Sequence, residues 1–195
     1  MGYIRDVKNK IRDEYRAKRL ALDPAYRKTL DERILKQLRS LASFRFAETV
    51  LAYFPLEGEI DIRPLLEEAL AMGKKVALPY SGEGGIMDFY YISSLDELIP
   101  GRFGLMEPPT TNEKYEKNNA SPVLMIIPAL VFDHLGYRLG YGRGYYDRYV
   151  NGFSGAKAGI SYASFLRSTP LPRGRFDFAV DYIVTEKGVK LVEKI

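Results

Sequence analysis

The chain has 195 residues, 46% of them hydrophobic, enough to bury a substantial core in one globular domain expected to span residues 1–195. It has no cysteine and a single histidine, which excludes disulfides, thiolate chemistry and sulfur- or imidazole-rich metal centres; any metal is expected to be a hard ion held by oxygen. A formal charge of +4, from 29 basic and 25 acidic residues, suits an anionic ligand without the excess that wrapping a nucleic acid requires.

The first predicted element is a helix in which Ile4, Val7, Ile11, Tyr15 and Leu22 form an apolar stripe, while Lys8, Arg12, Arg16 and Arg19 share another face. Its opening, MGYIRDVKNKIRDEY, is charged where a signal peptide needs an apolar core, and no later run is long enough to cross a bilayer. A cytoplasmic protein acting away from membranes is expected. Asp23-Pro24 reads as an N-cap and first-turn proline, opening a second helix through Leu30, Ile34, Leu38 and Leu41. ETVLAYFP, residues 48–55, has the character of a buried strand. The turn LEGE follows, then a helix with Asp61 as its N-cap that runs through Met72 to a stop at Gly73. KVALPY and MDFYYI are the next strands, antiparallel across SGEGG. Residues 93–121 are less regular, and TTNEKYEKNN within them reads as a surface loop. VLMIIPALVF is the most apolar segment and is expected to be the central strand. It leads through the turn Asp133-His134-Leu135-Gly136 into a glycine run that opens a helix at YYDRYV, and AKAGISY and DFAVDYIVT supply two more strands. This rhythm predicts an α/β fold: a mostly parallel central sheet flanked by helices in a Rossmann-like three-layer arrangement, with an antiparallel edge.

The glycine run, RLGYGRGYYDRYV, sets Gly140, Gly142 and Gly144 at alternate positions among arginines and tyrosines. Glycine allows positive φ and leaves N–H groups bare, so such a loop can wrap a phosphate, although tight turns select glycine too. The segment is neither a GxxxxGK[ST] loop nor a dinucleotide fingerprint. Asp147 lies within a turn of it and is placed to meet a hydrated Mg²⁺, to sit as a first-turn acid favoured by the helix dipole, or to pair with Arg143 or Arg148. Lys8 and Arg12 are candidate phosphate clamps on a face that could equally be solvated, and Glu59 is either a partner for an N–H-rich heterocycle or an ordinary turn acid.

One longer pattern narrows these alternatives. FDHLGYRLGYGRGYYDRY is similar to the FDxxGxRLGxGxGYYDR segment of the 5-formyltetrahydrofolate cyclo-ligases, also called 5,10-methenyltetrahydrofolate synthetases. KNKIR resembles that family's KxxxR, YFPLEGEID its strand-turn-glutamate segment, and FDFAVDYIVTE its closing DxxxDxxxTE, all in family order. The resemblance implies an enzyme dependent on ATP and Mg²⁺ that closes the ring of 5,10-methenyltetrahydrofolate and releases ADP and phosphate. On this basis Lys8 and Arg12 contact ATP, with Arg138, Leu139, Gly140, Tyr141, Gly142, Arg143, Gly144, Tyr145 and Tyr146. Arg143, Tyr145 and Asp147 are implied in catalysis, and Asp147 and Asp177 in holding Mg²⁺. Phe54, Glu59 and Phe103 are implied in the folate pocket with Tyr141, Gly142, Arg143, Gly144 and Tyr145, Glu59 facing the pterin. The implied partners are small molecules, reduced folate and ATP, acting on a monomer without nucleic acid or membrane. Three positions depart from the pattern. Phe103 stands where some members have tryptophan, Tyr80 where a basic residue is common, and SYASFL lacks a glutamine often found there. Two rival readings are an RNA-binding module, from the basic helix and the tyrosine-arginine run, and a phosphosugar isomerase or CoA-transferase relative on a similar scaffold.

Overall fold

The computed structural model describes residues 2–117 and 121–193. Helices α1 (Gly2–Leu20), α2 (Pro24–Ser40) and α3 (Ala42–Arg45) are followed by β1 (Thr49–Leu51), α4 (Arg63–Ala71), β2 (Lys75–Ser81) and β3 (Met87–Ile92). Next come β4 (Ile99–Pro100), β5 (Met106–Glu107), β6 (Val123–Pro128), β7 (Val131–Asp133), β8 (Arg138–Leu139) and α5 (Tyr145–Tyr149). The chain closes with β9 (Ala156–Ile160), β10 (Leu166–Arg167), β11 (Tyr182–Thr185) and β12 (Gly188–Leu191).

Seven strands form the main sheet in the order β12-β11-β9-β6-β1-β2-β3, with β6 at its centre as expected. The inner ladders are parallel; the outer pairs β2/β3 and β11/β12 are antiparallel. Alternation along each strand separates two cores. On β6, Leu124 and Ile126 pack with Ile11, Ile34, Phe44 and Leu65, which α1, α2, α3 and α4 bring to one face. Met125 and Ile127 pack on the other with Phe89, Phe132, Tyr149 and Phe153, where α5 is the only helix contributing among the described residues. Among the described residues the three layers are therefore unequal: four helices on one side, one helix and aromatic loops on the other.

Local signals placed several elements. The Asp23 carboxylate accepts from Tyr26 N at 2.8 Å, capping α2 just before Pro24. Gly73 takes φ +77°, the left-handed turn that stops α4. The expected cap at Asp61 is corrected by one residue. Ile62 holds that position, Pro64 sits in the first turn, and Asp61 instead accepts from Arg63 N at 3.1 Å. VLMIIPALVF is likewise two strands. β6 ends at Pro128, which has no N–H to continue a ladder, and β7 joins a separate three-stranded sheet with β8 and β10. ETVLAYFP and DFAVDYIVT shorten to β1 and β11. The segment expected as a surface loop runs along the outer edge of β3 instead: Tyr91 N donates to Glu113 O and Tyr115 N to Phe89 O, burying the Tyr115 ring. Its Asn118 and Asn119 lie outside the described residues.

The inner parallel strands lie in the order β2-β1-β6-β9-β11, so chain order reverses direction between β1 and β6. Such a switch point leaves a crevice beyond the carboxyl ends of the two strands, because their outgoing connections diverge. Among the described residues no helix is long and apolar enough to cross a membrane.

Candidate functional site

A cleft of about 520 Å³ opens at that switch point. The segment leaving β1 and the carboxyl-terminal halves of β2 and β6 supply its floor through Tyr53, Phe54, Pro79 and Pro128; α1 supplies Lys8, Arg12 and Arg16; the glycine run supplies a wall from Arg138 to Asp147. Glu59, Phe103 and Asp177 complete it, so every site residue named from the sequence lines one cavity although they span residues 8–177.

The glycines are explained by what approaches them. Gly142 has φ +97°, and a Cβ there would stand 3.0 Å from Arg12 Cζ; Gly144 has φ +68°, with Arg148 Nη1 at the same distance. Arg12 Nε donates to Gly140 O at 2.9 Å, so the basic helix is fastened to the bare backbone of the loop. Partial burial and the neighbouring Arg16 lower the Arg12 pKa from its ordinary value. The helix that follows is only five residues long, so its end contributes little dipole, and the cationic character of this wall comes from side chains and loop N–H groups.

At this basic end each acid is already matched with a cation. Arg138 Nη2 donates to Asp147 Oδ1 at 3.0 Å, and Lys8 Nζ to Asp177 Oδ2 at 2.5 Å; the Arg138 side chain is only 6% exposed. Asp177 also accepts from Gly174 N at 2.8 Å. Arg143 lies with its Cζ 3.5 Å from the Phe103 ring centroid, a cation–π contact joining the glycine run to the β4/β5 hairpin. Phe103 holds φ +61°, a left-handed backbone that costs a non-glycine residue about 1–3 kcal/mol.

The opposite end is buried and built from hydrogen bonds. Glu59 is 7% exposed; its Oε2 accepts from Leu56 N and its Oε1 from the Tyr141 hydroxyl, both at 3.0 Å. Glu59 closes its own turn through Leu56 N, and it does so buried at the cleft rather than in solvent. Desolvation raises its carboxyl above the usual range, opposed by the Leu56 N–H, Arg19 and Tyr141. Burial, and then Glu59, push the Tyr141 phenol well above its ordinary value. Arg19, nearly buried, donates to Ala129 O at 2.6 Å and to the Tyr141 hydroxyl at 3.1 Å. The Tyr53 hydroxyl donates to Ile60 O, whereas the buried Tyr146 hydroxyl has no partner among the described residues.

Sequence reasoning missed Arg19 and Tyr53 as parts of this site. The face shared by Lys8, Arg12, Arg16 and Arg19 was visible, but its last member's burial depends on β6 and the glycine run closing over it. Two of the departures fall outside the cleft. Tyr80 stacks edge-on with Tyr90, and Tyr162 of SYASFL donates to Asp31 in the helical core.

The family model described as the 5-formyltetrahydrofolate cyclo-ligase family matches residues 4–186. The chain belongs to that family. The cyclo-ligase of Escherichia coli K12 is 28% identical over 182 residues, covering 89% of this chain and 97% of that one. The solution structure of the Aquifex aeolicus 5,10-methenyltetrahydrofolate synthetase is 35% identical and superposes with a TM-score of 0.84, covering 97% of this chain and 94% of that one. The Mycoplasma pneumoniae synthetase, at 23% identity and a TM-score of 0.72, shares the fold over 92% of this chain and 98% of that one. As a cyclo-ligase family member the protein is an enzyme of the ligase class, and its architecture is the family's.

Proposed function

We propose that the protein, acting as a monomeric unit spanning residues 1–195, converts 5-formyltetrahydrofolate to 5,10-methenyltetrahydrofolate with ATP, releasing ADP and phosphate. The observation that carries this reading is the single cleft with two unlike ends. One end is rich in cations and bare backbone and suits a triphosphate; the other presents a buried carboxylate among aromatic rings and suits the N–H edge of a pterin.

The formyl group is amide-like: its carbon is a poor electrophile and its oxygen a poor leaving group. Transfer of the γ-phosphoryl group to that oxygen breaks the β–γ phosphoanhydride bond, releases ADP and leaves an iminium phosphate. N10 then attacks the carbon and loses its proton, the C–O bond breaks, and phosphate departs. No side-chain nucleophile is required, in keeping with a chain that has no cysteine. Alignment and charge stabilisation remain, and these dominate phosphoryl transfer. Lys8, Arg12 and Arg143 suit the phosphate oxygens, with the N–H groups of Gly140, Gly142 and Gly144, while Phe54, Phe103 and Tyr145 offer surfaces against the folate rings. Holding N10 beside the formyl carbon makes ring closure effectively intramolecular, worth up to about 7–11 kcal/mol in well-oriented systems.

Asp147 and Asp177 are the carboxylates that would hold Mg²⁺. Both line the cleft, but among the described residues no three acidic or histidine side chains converge, a donor set that fits Mg²⁺ arriving with the nucleotide rather than a resident ion. When bound, Mg²⁺ supplies charge neutralisation at the phosphate oxygens. The Arg138–Asp147 and Lys8–Asp177 pairs hold these carboxylates in place beforehand, and their cations become free for phosphate when the pairs part.

Mixing the purified protein with 5-formyltetrahydrofolate, ATP and Mg²⁺ tests the reading. The methenyl absorbance is expected to rise with one ADP formed per product. Turnover without ATP, or salt-sensitive RNA binding with no folate-dependent ADP, would transfer support to one of the rival readings.

A further inference from the structure

Tyr141 has one hydroxyl proton, and its direction is dictated by its neighbours. Arg19 Nη1, 3.1 Å from the phenolic oxygen, can only donate, so the oxygen accepts there and its proton is left for Glu59 Oε1 at 3.0 Å. Glu59 Oε2 accepts from Leu56 N, so both carboxylate oxygens act as acceptors. Arg19 is itself fixed, because Nη2 is bound to Ala129 O at 2.6 Å, just past the end of β6. A chain of oriented bonds thus runs from the sheet through Arg19 and Tyr141 to Glu59. It leaves the remaining lone pairs of the carboxylate for a ligand that brings N–H donors.

We infer that Arg19, acting through Tyr141, is a positioning residue that keeps Glu59 charged and aimed into the cleft to receive the N–H edge of the substrate; this rests on the folate reading of Glu59. The other groups around Glu59 do not substitute for it. Tyr53 is bound to Ile60 O, and the Tyr146 hydroxyl is neutral and unpartnered among the described residues. Across the Leu56–Glu59 turn a second cavity touching Glu59 is lined by Arg27, Lys28, Asp31, Glu32, Glu57, Asp61 and Arg63, three cations against four acids. Among the described residues none of these is hydrogen-bonded or ion-paired to Glu59, and Arg19, with Nη1 3.9 Å from Oε1, is the cation beside it.

The test is the affinity for 5-formyltetrahydrofolate, measured by equilibrium titration without ATP as a function of pH. In the unaltered protein affinity is expected to fall as pH drops through the raised Glu59 pKa, since protonation removes an acceptor. Arg19→Met is expected to weaken binding at neutral pH about tenfold, the loss of one charge-assisted contact, and to move the midpoint to higher pH. Tyr141→Phe, which leaves Arg19 anchored on Ala129, is expected to shift the midpoint in the same direction, and Arg19→Lys to restore it in part. Glu59→Gln is expected to weaken binding and flatten the pH dependence. If Glu59→Gln leaves binding unchanged, the folate reading of Glu59 fails. If it weakens binding while the Arg19→Met midpoint stays at the unaltered value, that reading survives and the role of Arg19 is overturned; should Arg19→Met not fold, Arg19→Lys decides in its place, a midpoint equal to the unaltered value again overturning the role.

Discussion

The two ends of the cleft are prepared in opposite ways. At the Glu59 end the polar groups are buried and already oriented, through Arg19, Tyr141 and the Leu56 N–H. At the basic end the groups suited to phosphate and magnesium are engaged with one another, Arg138 with Asp147 and Lys8 with Asp177. On the proposed function, a preformed end binds without rearrangement, whereas the basic end is expected to exchange partners when an anion and its metal arrive. On that proposal the difference follows from the ligands. A neutral heterocycle edge needs direction, which fixed hydrogen bonds supply, and a triphosphate needs charge, which is costly to leave buried and unpaired while waiting.

The largest expected effect comes from breaking an exchange pair. Asp147→Asn keeps an acceptor for Arg138 but removes the charge, and turnover is expected to fall about a hundred- to a thousandfold with folate affinity unchanged. Asp147→Ala is expected to lose turnover similarly and also about 3–5 kcal/mol of stability, because Arg138 is then a buried charge without its partner. Denaturant melts of both variants separate the two losses; normal activity with unchanged magnesium dependence in Asp147→Asn would remove the metal assignment. Next in size, Arg12→Ala is expected to raise the KM for ATP about tenfold while that for folate moves little, and a change confined to folate would place Arg12 at the wrong end.

Much of the cleft was legible because its residues sit in contiguous motifs: the glycine run, KNKIR, and the turn carrying Glu59. Parallel pairing and the central place of β6 followed from apolar runs alternating with helical stripes. What was hidden depended on contacts between distant segments. Pro128 divides one apolar run between two sheets, Tyr115 is drawn onto β3 from a polar stretch, and GVKL pairs as the edge strand β12 without a strong pattern of its own. Arg19 looked like one more solvated cation until 110 residues of chain returned to bury it against Ala129. That Asp147 pairs with Arg138 rather than Arg143 or Arg148, and that Asp177 meets Lys8, was likewise invisible, because ion pairing depends on distance in space.

Two smaller effects sharpen the contrast. Glu59 has a folded-state pKa raised by burial, so its contribution to stability is fully present below the unfolded carboxylate value and is lost as pH rises through the folded one. Asp31 is raised in the same sense, so Glu59→Gln is expected to remove only part of that slope in melts across the acid-to-neutral range. Folate affinity is expected to run the other way, weakening as pH falls, and the opposite signs separate binding from folding. The smallest effect is expected of Phe103→Ala. It frees Arg143 from a contact worth about 0.5–1 kcal/mol and leaves the left-handed backbone as strained as before, because alanine keeps its Cβ. Stability should therefore change little, while the KM for folate rises a few-fold.

The most direct test of the central claim is a crystal structure with magnesium and a non-hydrolysable ATP analogue. The account predicts phosphates against Gly140, Gly142 and Gly144, Lys8 and Arg12 turned onto them, and Asp147 and Asp177 parted from their cations toward the metal. A nucleotide bound elsewhere, with both ion pairs intact and the glycine run untouched, would contradict it.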